Sequence, residues 1–174
     1  MSLFFTEENE VYGIDCSNAV WATDEVHEKF ILTQSSLNDV DFVIETDEKL
    51  LLVEYKNACI ANAAAPNAFD PQNEKKLLNV VRKYYDTLHY LTLKKLNKPK
   101  MFVYILEYPQ GDTVSRRAIR NKLKQRLPFG LQSHFDNDVK LIDRVEVLSI
   151  DEWNTHSEYG KYPIRLINND IKDV

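Results

Sequence analysis

At 174 residues and 44% hydrophobic, the chain holds apolar material for one core and is too short to need a second, so a single domain over residues 1–174 is expected. Its two cysteines, Cys16 and Cys59, can make neither a disulfide framework nor a Cys/His metal site and point to a reducing, cytoplasmic setting; no basic leader opens the chain and no run nears the about 20 apolar residues of a membrane span, so no membrane partner is expected. A net charge of −5 argues against a nucleic-acid partner for the chain as a whole, though not for its parts.

In chain order, "EVYGI" has strand character, whereas "NAVWATDEVHEKFILTQSS" mixes helical and strand periodicity and stays open. "DVDFVIETDEKLLLVEYKN", residues 39–57, reads as two strands joined by a charged turn. If "TDEK" is the turn, Thr46 faces Lys49, Asp41 faces Glu54, and Asp39 faces Lys56. One face then carries Phe42, Ile44, Leu51, Val53 and Tyr55; the other carries Val43, Leu50 and Leu52, with Asp41, Glu54 and Lys56 together at its far end. "NACIANAAAPNAFDPQ" reads as a loop.

"NEKKLLNVVRKYYDTLHYLTLKKL" follows, with apolar residues at 77, 78, 81, 84, 85, 88 and 91, the pattern of an amphipathic helix. "KMFVYILEY" is a buried strand that completes a parallel crossover. "SRRAIRNKLKQRL" is a second helix with Ser115 as its N-cap, and "VKLIDRVEVLSI" and a short "DEWNTH" helix close an α/β domain with a mixed sheet flanked by helices.

An acid two residues before a lysine occurs five times in the chain, so that spacing alone selects nothing. Strand pairing selects Glu54, because it sets a second carboxylate, Asp41, opposite at about 5 Å, a repulsive arrangement unless something positive lies between. Hard oxygen ligands of this kind suit Mg²⁺ or Mn²⁺, and Lys56, one strand step along the same face, can orient or deprotonate an attacking water. The competing reading is an ion-pair ladder at a strand end, worth about 0.2–1 kcal/mol per pair.

These residues resemble the PD-(D/E)xK nuclease superfamily, whose restriction-endonuclease-like fold places an Asp on one hairpin strand and (D/E)xK on the next, followed by a helix and a further strand. The likeness covers residues 39–108, with "VDFVIET" and "LLLVEYKN" its specific parts; the flanks "DCSNAVW", "RRAIRNKLKQRLP" and "DEWN" resemble bacterial proteins sharing this hairpin. It implies a metal-dependent hydrolase cleaving nucleic acid, DNA ahead of RNA, with Asp41 and Glu54 as metal ligands, the Tyr55 carbonyl as a third, and Lys56 as the catalytic lysine. Val40 stands where the superfamily often has proline. Many members add a Glu from an N-terminal helix; Glu25 and Glu28 are the candidates, Glu28 favoured. Nucleases that cut both strands often pair their sites, so a homodimer is one expected state.

Charge along the chain is uneven: −11 over residues 1–54, +10 over 55–128 and −4 over 129–174. The basic third offers Lys75, Lys76, Arg82 and Lys83 on the first helix and Arg116, Arg117, Arg120, Lys122 and Lys124 on the second as phosphate contacts, or as solvated helix faces. His27, His89, His134 and His156 have no partner visible in the sequence, and no Walker motif or Ser-His-Asp order appears. The alternative to a nuclease is a module of the same fold that binds nucleic acid or protein without cutting; a third reading is a structural α/β protein.

Overall fold

The computed structural model describes residues 3–60, 69–135 and 138–167. The strand between Leu50 and Asn57 (β5) is the centre of the molecule. It lies in a five-stranded sheet in the order β3 (Trp21–Thr23), β4 (Phe42–Glu45), β5, β6 (Lys100–Glu107) and β7 (Arg144–Leu148). β4 runs antiparallel to both β3 and β5, and β5, β6 and β7 are mutually parallel. Leu50, Leu51, Leu52 and Val53 are all fully buried, which explains the unbroken apolar run: both faces of β5 are covered.

Side-chain alternation divides the core in two. Val43, Leu50, Leu52 and Phe102 pack with Leu77, Val81 and Tyr84 of helix α2 (Glu74–Leu93) and with Ile119 and Leu123 of α3 (Thr113–Arg126). Phe42, Ile44, Leu51, Val53, Tyr55 and Val103 face the other way. They are covered by Ile14 and Ile164 of a small antiparallel sheet, β1 (Phe4–Thr6), β2 (Tyr12–Asp15) and β8 (Ile164–Leu166), and by Trp153 of α5 (Ile150–Thr155). The two faces expected of the hairpin are the two faces observed, in the expected register: Phe42 pairs with Val53 and Glu45 with Leu50, and the Thr46 amide donates to Lys49 across the turn at 2.9 Å.

Several boundaries differ from the sequence reading. The stretch left open resolves into β3 and helix α1 (Val26–Leu32), and "MSLFFTEENE" contributes β1. Ser115 is not the N-cap of α3; Asp112 is, accepting from the Ser115 amide at 2.7 Å, while the Ser115 hydroxyl accepts from the Asp112 amide in a capping box. The strand expected over "VKLIDRVEVLSI" is confined to Arg144–Leu148 and is not the last, since β8 follows it. On α2 the inward stripe is Leu77, Val80, Val81, Tyr84, Thr87, Tyr90 and Leu91, whereas Leu78 is half exposed. Most of the loop after Asn57 (61–68) lies outside the described residues. A short α4 (Phe129–Gln132) and a 3-10 turn at Tyr159–Lys161 complete the elements. Among the described residues no helix is long and apolar enough to cross a membrane.

Candidate functional site

β4 stops at Phe42, and the way it stops builds the site. In antiparallel pairing, alternate opposed residues exchange both backbone hydrogen bonds; continuing the observed register would make Val40 the partner of Tyr55. The chain leaves the ladder instead. The Val40 amide donates to the Thr87 hydroxyl of α2 at 3.1 Å, and the Tyr55 amide donates to Asp41 Oδ2 at 2.6 Å. The carbonyl and amide of one strand residue point to the same side, so the Tyr55 carbonyl opens toward Asp41, deprived of the Val40 amide that would have bonded it. Helix α2 holds this departure in place: the Asn38 amide donates to Asp86 Oδ2 at 2.9 Å, Arg82 Nη2 donates to the Ser36 carbonyl, and the Thr87 hydroxyl donates to the Lys83 carbonyl at 2.8 Å.

Asp41 and Glu54 thus meet at the mouth of the helix-covered face, as the register requires. Glu54 is only 6% exposed. The positive group between the carboxylates comes from α2: Lys83 Nζ donates to Glu54 Oε1 and Oε2 at 2.7 and 2.9 Å and lies 3.6 Å from Asp41 Oδ1. Lys83, grouped by sequence with phosphate-binding lysines, is a member of the carboxylate cluster. Burial foremost, and then the Asp41 charge, push the Glu54 carboxyl well above the usual range against the pull of Lys83. Burial likewise raises Asp41, opposed by Lys83 and the Tyr55 amide. Burial lowers the Lys83 ammonium, but the charges of Glu54 and Asp41 outweigh it and the net shift is upward.

Lys56 follows on β5 and is exposed; among the described residues it has no ion pair, and it borders a small recess with Glu8, Asp41, Tyr55 and Asn57. On the other side of Asp41 lies a cleft of about 420 Å³ lined by Glu8, Asp24, His27, Asp39, Asp41 and Lys83 among others. His27 Nδ1 lies 3.0 Å from Asp39 Oδ1. The sequence offered no sign of this pair, because it depends on how α1 meets the start of β4. Glu28 does not line the cleft. Val26 and Phe30 are the buried residues of α1, and Glu28, midway between them, points to the opposite side of the helix. The acid that reaches the cleft from this region is Asp24, raised first by burial and then by the charges of Glu25 and Glu28. Glu7 also borders the cleft, but its carboxylate accepts from the amides of Asn9, Val11 and Tyr12 and fixes a turn.

A hard divalent cation fits this donor set in part. Asp41, Glu54 and the Tyr55 carbonyl give three oxygens, and Mg²⁺ commonly completes its shell with water. The Lys83 ammonium marks a place where positive charge between the carboxylates is stabilised. Among the described residues no group of three or more His, Cys, Asp or Glu side chains is disposed to hold a metal.

The basic residues are scattered in role. Arg82 pairs with Asp86, Arg116 with Glu152 at 2.9 Å, and Arg120 with Glu146 at 3.4 Å. Lys122 donates to Gln72 at 2.8 Å; Lys76 and Lys124 lie over the rings of Phe69 and Phe129. Lys75 and Arg117 are exposed. Arg126, absent from the expected contacts, makes a bidentate pair with Glu74 that ties α3 to α2.

Comparison with family models, with curated proteins and with solved structures finds no match to this chain.

Proposed function

We propose that this protein is a Mg²⁺- or Mn²⁺-dependent hydrolase of nucleic-acid phosphodiesters, of the PD-(D/E)xK type and with a restriction-endonuclease-like fold, acting in the cytoplasm with DNA the favoured substrate. The observation that carries the reading is the buried Glu54 set against Asp41 where β4 leaves the sheet, with one cationic group between them and Lys56 exposed alongside. A sheet with antiparallel β3, β4 and β5, parallel β5, β6 and β7, and helix α2 between β5 and β6 agrees with the order of elements in that superfamily.

A divalent ion, when bound, supplies charge stabilisation at a phosphoryl oxygen and acidifies water. The chain's own residues do the rest. Asp41 and Glu54 hold the charge at the end of a rigid sheet, and the Tyr55 amide fixes the Asp41 carboxylate in place. Lys56 is free to orient the attacking water or to donate to the developing negative charge. Burial suits Glu54 to this task, since a carboxylate with few water contacts gains most from a cation.

The test is cleavage of single-stranded, duplex and branched DNA and of RNA by the purified protein with Mn²⁺. Asp41→Asn, Glu54→Gln and Lys56→Ala should each lower the rate by about 10²-fold or more. Cleavage that persists in all three overturns the assignment. The non-cutting module is the second reading, favoured by the acidic lining of the cleft; divalent-dependent binding of uncut DNA would identify it.

A further inference from the structure

We infer that a divalent cation enters this site by exchange with Lys83, whose ammonium holds the two carboxylates together until the metal displaces it into the adjoining cleft. This rests on the metal-dependent reading above and adds to it a resident competitor for the metal position. Lys83 Nζ touches both Glu54 oxygens, at 2.7 and 2.9 Å, and stands 3.6 Å from Asp41 Oδ1, so it takes up the electron pairs that a cation bridging the same carboxylates would need. An ammonium and a divalent ion cannot share them, because two cations that close together repel strongly in the low dielectric of a protein.

The way out is built in. Lys83 is anchored through its backbone, its carbonyl accepting from Thr87, while its side chain keeps 30% of its surface exposed and lines the cleft. Four methylenes let the ammonium swing while the helix stays still. The cleft wall presents Asp39, Asp24 and Glu8, which receive the displaced cation. Lys56 differs on each count: it contacts neither carboxylate within ion-pair distance among the described residues and stands on the side of Asp41 toward the small recess. Removing Lys83 therefore opens the metal position, whereas removing Lys56 leaves it as it was.

Isothermal titration of Mn²⁺ at about pH 8 into the wild type, Lys83→Met and Lys56→Met tests this, with about tenfold or tighter binding expected for Lys83→Met and no change for Lys56→Met. Because Lys83→Met leaves a buried carboxylate without its partner and can impair folding, a second measurement uses the wild type alone: Mg²⁺ titration of protein carrying ¹³C-labelled lysine, in which the Lys83 Cε–H signal should move saturably. Equal or weaker Mn²⁺ binding by a folded Lys83→Met, or Mg²⁺ binding that leaves the Lys83 signal in place, overturns the exchange while sparing the metal site. Failure of the wild type and of Lys83→Met alike to bind Mn²⁺ overturns both.

Discussion

A carboxylate taken out of water must find a positive or hydrogen-bonding partner, and Glu54 finds it 29 positions away, on a helix. The partner does not remove the whole penalty: burial and the Asp41 charge still raise the Glu54 pKa. A raised pKa means that the folded state holds the proton more tightly than the unfolded chain, so stability falls as pH climbs from the ordinary glutamate value of about 4.3 through the raised one. Lys83, itself shifted upward, stays charged throughout and withdraws its contribution only above the ordinary lysine value of about 10.4. Glu54→Gln keeps the shape and abolishes the titration. Its melting temperature relative to wild type should therefore rise as the pH climbs above about 4.5, which paired thermal melts would reveal. A wild type that instead gains on the variant as the pH climbs would show that Lys83 more than neutralises the site. Asp41 and Glu54 were legible because strand pairing is arithmetic once the turn is placed; Lys83 was not, because its role depends on which way α2 is rolled against the sheet.

Between residues and fold stand the elements, and here α2 acts as the clamp that ends β4. Thr87 is fully buried and uses one hydroxyl twice, accepting from the Val40 amide and donating to the Lys83 carbonyl. Thr87→Val keeps the volume and leaves the Val40 amide without its acceptor, which should cost about 1–3 kcal/mol in denaturant unfolding and speed hydrogen exchange at Val40. Unchanged exchange there would mean that another group has taken over the amide. The hairpin and α2 could be read from sequence because each has one strong period, two for the strands and 3.6 for the helix. Residues 18–36 could not, since β3 has only three residues and α1 seven, too few turns for either period to declare itself. Ser115 looked like a cap because a serine before a helical stretch is a good one; the helix had already begun at Thr113, behind Asp112.

For the whole molecule, the uneven charge along the chain proves to be complementarity between its parts. The basic third pairs inward with the acidic ones: Lys83 with Glu54, Lys98 with Glu45, Arg116 with Glu152 and Arg120 with Glu146. Sequence position alone could not separate such pairing from a cationic stripe facing phosphates. Of the nine basic residues offered for that stripe, Lys75, Lys76, Arg117 and Lys124 are exposed and outside ion pairs among the described residues, and the cleft beside Asp41 carries Glu8, Asp24 and Asp39. A phosphate chain approaching that cleft meets repulsion unless a divalent cation offsets it. Binding of a labelled DNA duplex, followed by fluorescence anisotropy, should therefore be negligible in EDTA and appear with Ca²⁺, which takes oxygen ligands as Mg²⁺ does in a looser geometry. With at most about five phosphates neutralised by these four side chains and Lys56, the slope of log K against log salt should be no steeper than about −5. Binding that ignores EDTA, or a markedly steeper slope, would reveal a cationic face larger than these five side chains provide and would move the substrate path away from the acidic cleft.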